Sequence, residues 1–352
     1  AAAKNDTCCS FHPGPLSIVL PPLLIAEFIL GSLFNGLSLW IFCFHMKTWK
    51  SSTVYLFNLA LADFLLMVSL PFRTDYYMRG KNWRFGDVPC RLTLFTLAMN
   101  RGGSVLFLTL VAVDRYFRVV RPHHNINSLS TGGAVCVACA GWLLTVSSTV
   151  FIVTKPQFGG SHGRSVRCES FSVCPDSPNR HDLLYIVQFF VSLAVVMFCS
   201  CSVIMRLRRR NLDRHAKIKR AVQCVSVVGV AFCTFYLPSV STRIEILRLR
   251  GSPLWKDCNI YRNAETAFYM AVCLTYLNSM CNPLLYYFSS NWFKAFYRKI
   301  ARCTTQSVSE SEQSHNVPNT NDPQQTCNYR LEGETQISFA NVAANVHKCS
   351  NR

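Results

Sequence analysis

Charge is scarce in this chain. Only 15% of its 352 residues are charged, and only 18 are acidic, against roughly a quarter charged in an ordinary soluble domain. A water-soluble globule of this size is thereby excluded. Disorder is excluded as well, because half the residues are hydrophobic and 25 are Phe, whereas disordered chains are poor in both. There is no glycine-rich phosphate loop, nucleophile elbow or paired metal-binding motif, so the common signatures of an enzyme are missing. The two halves show no similarity to one another, against the internal repeats that many transporters carry. What is present is a basic excess, Lys+Arg 36 for a net charge of +18, set between long apolar blocks. Blocks of about 20 apolar residues cross roughly 30 Å of hydrocarbon, which predicts an all-α membrane protein and no nucleic-acid partner.

Seven such blocks are predicted as spans: Leu16 to Phe44, Val54 to Met78, Val88 to Val120, Ala134 to Thr154, Leu183 to Met205, Ile218 to Leu247 and Tyr261 to Phe288. An odd number places the two termini on opposite sides. The connection from Arg206 to Arg220 carries eight basic residues against a single Asp213, and such loops face the cytoplasm. The N-terminus is then extracellular, where Asn5-Asp6-Thr7 is a usable glycosylation acceptor. The organisation expected is an extracellular segment over 1–15, a helical domain over 16–301 and a cytoplasmic tail over 302–352. On this topology six of the 18 cysteines face the oxidising side: Cys8, Cys9, Cys90, Cys168, Cys174 and Cys258. They allow 15 pairings. Zinc is the competing use, and the spacing lacks a CxxC or His pair for it. Nine more cysteines lie in spans, where a thiol serves as a small buried hydrophobe.

Polar groups in hydrocarbon are costly and mark function. Span two carries Asp63, and span three carries Asn100, Arg101 and Ser104 before ending in Asp114-Arg115-Tyr116. Span seven carries Asn278, Ser279 and Asn282-Pro283-Leu284-Leu285-Tyr286. Beyond it, Trp292, Phe293, Phe296 and Tyr297 interleave with Lys294, Arg298 and Lys299, the pattern of an amphipathic helix lying on the membrane lipid surface. Taken in order, with Asn35, Trp142, Pro238 and the Cys90/Cys168 pair, these motifs resemble the rhodopsin-like (class A) G-protein-coupled receptors over roughly residues 16 to 300. Phe42 to Lys50, Leu97 to Arg101, Arg121 to His124, Asp213 to Arg220 and Tyr287 to Ser290 narrow the resemblance to the hydroxycarboxylic acid receptors.

That resemblance implies a receptor for lactate, 3-hydroxybutyrate, nicotinate or a similar small acid, signalling through inhibitory G proteins. It also implies the disulfides Cys90–Cys168, Cys8–Cys174 and Cys9–Cys258. Arg101 lies 11 residues after Cys90, about 16 Å along a helix at 1.5 Å per residue, and its planar fork matches a carboxylate. An internal salt bridge to Asp75 or Glu265 is the alternative. Arg73 and Arg243 lie in the outer halves of spans two and six, and with Tyr236 resemble the lactate-responsive members; Arg243 snorkelling to the interface is the competing reading. Cys174 resembles the nicotinate-responsive ones. Tyr276, Ser170 and Phe171 match positions that close over the ligand. Span three has no acid between Cys90 and Asp114, and span seven has no Lys, so an amine counter-ion and a retinal linkage are both excluded. The ligand expected is an anion.

The switch implied by the resemblance bends span six about Pro238, which as a helix proline removes a backbone hydrogen bond. Arg115 would pair with Asp114 and then meet the G protein, with Tyr116, Asn282, Pro283 and Tyr286 in the same machinery. Asp63, Ser104, Asn278 and Asn282 resemble a sodium-binding cluster, for which plain helix–helix hydrogen bonding is the alternative. Ser192 stands where most of the class has Pro, leaving the usual bulge of span five in doubt. Phe235 and Asn282 depart from the class and from close relatives respectively. The tail from about Arg302 places Thr304, Thr305, Ser307, Ser309, Ser311 and Ser314 beside Glu310 and Glu312, suited to receptor kinases and then arrestin, and Cys303 to palmitoylation. A merely disordered tail is the bland reading. Two rivals stand against the small-acid reading: a receptor for oxidised fatty acids, and a membrane transporter.

Overall fold

In hydrocarbon every backbone N–H and C=O must be satisfied within its own segment, and the apolar blocks answer as helices. The structure is a computed structural model that describes residues 15–46, 48–154, 158–161, 165–168, 180–209, 216–250, 252, 257–289, 293–295 and 298. Contacts divide the chain into two compact units, Ala1–Leu285 and Tyr286–Arg352. The helices are α1 (Pro15–Phe44), α2 (Ser51–Met78), α3 (Asp87–Val120), α4 (Thr131–Thr149), the short α5 (Phe151–Thr154), α6 (Arg180–Arg209), α7 (Ala216–Ala231), α8 (Leu237–Arg250) and α9 (Cys258–Ser289). The seven expected spans are α1, α2, α3, α4 with α5, α6, α7 with α8, and α9.

Six of these are long and apolar enough to cross a membrane. The seventh, α9, is diluted by Thr275, Asn278, Ser279 and Asn282, all buried. The distribution of polarity is that of a membrane bundle. Val68, Leu143, Leu144 and Phe198 are at least 60% exposed, while Asp63, Asn100, Ser104 and Ser279 are at most 3% exposed. Small residues let the helices approach: a Cβ on Gly141 of α4 would meet Leu106 of α3 at 2.6 Å. Asn35 ties α1 to α9 by donating to the Ser279 carbonyl at 2.9 Å. Trp142 ties α4 to α2 by donating to Asn58 at 2.8 Å.

Span six is not a plain proline kink. Between α7 and α8 the backbone makes a π turn over Phe232–Tyr236, with the Leu237 N–H reaching back to the Phe232 carbonyl. Pro238, which has no N–H to give, follows at once, so the wide turn absorbs the broken register. By contrast α6 runs through Ser192 without a bulge, in keeping with the missing proline. At the inner end, Val203, Ala221 and Val225 form a small core with Tyr116 packed on it.

The outer end holds the one pair of strands among the described residues, the antiparallel hairpin β1 (Phe158–Ser161) and β2 (Ser165–Cys168), with Phe158 opposite Cys168. The sequence reading had no strand there. Cys168 of β2 is joined to Cys90 of α3, their Cα atoms 5.8 Å apart. Asn5, Cys8, Cys9, Ser170, Phe171, Cys174, Cys303 and the phosphorylation cluster of the tail lie outside the described residues, as does the Cys258 side chain. The thiols expected to be buried in spans divide differently. Cys199, Cys224 and Cys273 are buried, but Cys43, Cys136, Cys139, Cys201 and Cys233 are exposed on the bundle surface, where an apolar thiol is equally at home against lipid.

In the second unit Tyr286 to Ser289 complete α9, and the backbone is helical again at 293–295 and 298. The rings of Tyr286 and Phe293 lie 5.9 Å apart, with Phe293 buried and Arg298 exposed.

Candidate functional site

The outer half of the first unit is built on one apolar core, formed by Leu20 and Leu24 of α1, Leu66 and Leu70 of α2, Leu94 and Leu97 of α3, and Phe268, Val272 and Tyr276 of α9. Cations are set into it. Arg73 is buried: it donates to the Cys168 carbonyl at 3.0 Å and to the Tyr77 hydroxyl at 2.8 Å, and lies over the Tyr76 and Tyr77 rings, while its Nε has no hydrogen-bond partner among the described residues. Its main visible work is to pin α2 beneath the disulfide-linked strand.

Arg101, like Arg73, has a buried Nε without a hydrogen-bond partner among the described residues, and its guanidinium rests 5.4 Å from the ring centre of Tyr185 on α6. The acids considered as internal partners are committed elsewhere. Glu265 receives the Lys81 ammonium at 2.6 Å, with both side chains at most 4% exposed. Asp75 is held by Arg79 and Arg84, each at 3.1 Å. Arg243 of α8 is buried, which removes the interfacial snorkelling reading, and stacks on the same Tyr185 ring at 5.1 Å and on Phe268 at 5.4 Å. Arg101 and Arg243 thus converge on a single aromatic ring that the sequence reading did not select. Tyr185 has no motif around it; only its position near the outer end of span five marks it.

Tyr276 is buried and within electrostatic range of both Arg73 and Arg101. Tyr236 is also buried, and its hydroxyl accepts from Asn278 at 2.9 Å while lying in range of Arg101. It stands between the outer arginines and a polar core below them. In that core Asp63 Oδ1 accepts from Asn100 at 3.1 Å and Ser104 at 3.2 Å, and Oδ2 from Asn282 at 2.6 Å. Asn100 also reaches Ser279 at 3.3 Å. Of the four expected members, Asp63, Ser104 and Asn282 come together. Asn278 gives its amide N–H to Tyr236 and leaves its buried carbonyl oxygen without a hydrogen-bond partner. Asn100 and Ser279 join instead. The Asp63 carboxylate and the Ser104 and Ser279 hydroxyls are hard donors of the kind a sodium ion takes, so these residues fit the ion the family implies.

At the inner end Asp114 is held by Arg118 at 2.9 Å and by Ser52 at 2.5 Å, and Arg118 also donates to Ser51. These partners were not anticipated by reading Asp114-Arg115-Tyr116 as a self-contained pair. The Tyr116 ring packs 5.5 Å from Phe198 of α6.

Residues 34–286 match the family described as 7 transmembrane receptor (rhodopsin family). The chain is 47% identical over 326 residues to hydroxycarboxylic acid receptor 3 of Homo sapiens, covering 92% of this chain and 84% of that one. It is 48% identical over 301 residues to hydroxycarboxylic acid receptor 1 of Homo sapiens, covering 85% of each. Oxoeicosanoid receptor 1 of Homo sapiens is 37% identical over 286 residues, 79% of this chain and 72% of its own. These matches set the transporter reading aside. The chain belongs to the rhodopsin family of seven-transmembrane receptors, within the hydroxycarboxylic acid receptor group, as a multi-pass plasma-membrane protein that works through a small ligand and a G protein and is not an enzyme.

Proposed function

We propose that this receptor responds to a small carboxylate of the hydroxycarboxylic acid class, couples to inhibitory G proteins and lowers cyclic AMP. The observation that carries the ligand reading is Arg101. Its guanidinium sits among the helices, with Glu265 and Asp75 committed to other cations. A guanidinium in such a place costs several kcal/mol unless an anion completes it, and a carboxylate offers two parallel acceptors. Arg243 across the Tyr185 ring supplies the second positive charge, and Tyr276 closes the side toward α9. Identity of 47–48% to hydroxycarboxylic acid receptors, against 37% to the oxoeicosanoid receptor, favours a short acid over an oxidised fatty acid.

Binding an anion between α3 and α8 favours whichever state brings Arg101 and Arg243 together, and a ligand shifts an equilibrium only by such differential affinity. The π turn and Pro238 lie directly inward of Arg243 on span six, so the bias is delivered at the bend. Tyr236, within that turn, carries it to Asn278 and the Asp63 cluster, where a sodium ion would hold the resting arrangement. Opening at the inner end separates the Val203–Ala221–Val225 packing and frees Arg115 for the G protein. Kinases and arrestin act later on the tail.

The test is inhibition of forskolin-stimulated cyclic AMP in cells expressing the chain, challenged with lactate, 3-hydroxybutyrate, nicotinate and an oxo-eicosanoid, with and without pertussis toxin. A toxin-sensitive response to one or more of the short acids is expected. A response to the oxo-eicosanoid alone would replace the ligand reading, and a toxin-resistant one would replace the coupling. For the cluster, Asp63→Asn should abolish the sodium dependence of agonist affinity.

A further inference from the structure

We propose that Tyr185 is the residue that reads the second polar group of the ligand, distinguishing a hydroxy acid from the same acid without its hydroxyl. The inference rests on the carboxylate reading of Arg101 and deepens it. Three observations meet at this side chain. Arg101 from α3 and Arg243 from α8 both rest on its ring, at 5.4 and 5.1 Å from the centre, so the ring fixes where both guanidiniums stand. The Tyr185 hydroxyl is buried and has no hydrogen-bond partner among the described residues. It also lies within electrostatic range of the Tyr236 hydroxyl, which is occupied by Asn278 at 2.9 Å.

The ring face and the hydroxyl have separate tasks. Cations prefer the electron-rich face of an aromatic ring, so the ring serves as a platform for both guanidiniums. The hydroxyl is both donor and acceptor, and a buried hydroxyl left unpaired is unfavourable. A carboxylate seated on guanidiniums that themselves lie against this ring has its α- and β-carbons beside the ring. A hydroxyl on either carbon is then the group best placed to satisfy Tyr185. A plain short-chain acid still makes the ion pair but leaves the tyrosine hydroxyl unpaired. Discrimination arises because a site built to hydrogen-bond a ligand group penalises the analogue that lacks it. The Tyr236 hydroxyl, by contrast, already accepts from Asn278 of span seven at 2.9 Å.

The experiment compares two acid pairs, lactate with propionate and 3-hydroxybutyrate with butyrate, by displacement of a radiolabelled agonist from the full-length receptor at matched surface expression. The parent, Tyr185→Phe, Tyr185→Leu and Arg101→Ala are measured side by side. The parent should prefer the hydroxy acid of at least one pair by about tenfold, the size of one neutral hydrogen bond. Tyr185→Phe, which keeps the ring and removes one oxygen, should erase that preference while leaving the plain acids nearly unchanged. Tyr185→Leu should weaken hydroxy and plain acids together, because both guanidiniums lose their platform. Arg101→Ala should abolish displacement by every acid. A preference that survives in Tyr185→Phe overturns the assignment, as does a parent that never distinguishes the paired acids. If Arg101→Ala binds like the parent, the carboxylate clamp itself fails; if that variant is dead and Tyr185→Phe keeps the preference, only the role of Tyr185 fails. Matched expression of the Phe variant separates lost recognition from lost folding.

Discussion

Two buried acids in the outer half of the bundle, Glu27 and Glu265, live in opposite surroundings. Glu265 has Lys81 at 2.6 Å, and the same ammonium sits 3.8 Å over the Tyr269 ring. Lys81 reaches this place from a left-handed backbone, φ 64°, a conformation that costs a side-chain-bearing residue about 1–2 kcal/mol. Removing one partner of such a pair strands the other, so Lys81→Met should lose about 3–5 kcal/mol of stability. Thermal unfolding of the purified receptor checks this, and Lys81→Met/Glu265→Gln should recover most of the loss. Glu27 is 0% exposed, and neither carboxylate oxygen has a hydrogen-bond partner among the described residues. Gln fills the same space without the ability to ionise, so Glu27→Gln should leave the melting temperature unchanged or raise it. Asp63 is the contrast: its oxygens accept three hydrogen bonds, and Asn would turn a donor toward donors. Asp63 and Glu265 were visible as acids in predicted spans, whereas nothing in the sequence singled out Glu27 or Lys81. The Lys81–Glu265 pairing was not legible, because the two are separated by 184 positions and Arg101 suited the glutamate equally on type alone.

At the scale of elements, the apolar blocks located every span, while the helices extend past them. α4 starts at Thr131 rather than Ala134 because the Ser130 hydroxyl accepts the Gly133 N–H at 3.1 Å and caps it. Span six was legible as a hinge at Pro238, but the π turn was not, since it depends on how the helix recovers its hydrogen bonds rather than on composition. Pro238→Ala restores a donor next to that turn. We expect it to straighten the span and reduce maximal cyclic AMP inhibition while agonist affinity, read by displacement, stays close to the parent. The hairpin escaped notice because four-residue strands carry too short an alternation to stand out. Its attachment is strong: the Cys90–Cys168 bridge closes a separation of 78 residues, and Arg73 adds a hydrogen bond to the Cys168 carbonyl. Cys90→Ala should cost about 2–4 kcal/mol, seen as a fall in melting temperature and in surface expression.

For the molecule as a whole, the polarity of the sequence is inverted with respect to a soluble protein. Polar residues gather inside, in a cationic outer pocket and a carboxylate-centred core beneath it, joined by Tyr236. The basic connection before span six predicts that the N-terminus is extracellular. A glycosidase-sensitive shift in mobility that disappears in Asn5→Gln checks this. That Arg73, Arg101 and Arg243 lie in spans two, three and six, with no acid between Cys90 and Asp114, was legible in the sequence. Their division of labour was not, because Arg73 is consumed by the hairpin and Arg243 finds Arg101 only through Tyr185, a partner on another helix. The most direct measurement of the central claim is saturation binding of a radiolabelled short carboxylate agonist to Arg101→Gln and Arg101→Lys receptors beside the parent, at equal surface expression. Carboxylate capture by Arg101 predicts no saturable binding for Arg101→Gln and a large loss for Arg101→Lys, which keeps the charge without the fork. Parent-like affinity in Arg101→Gln would contradict it, and would make Arg101 a structural residue of the bundle.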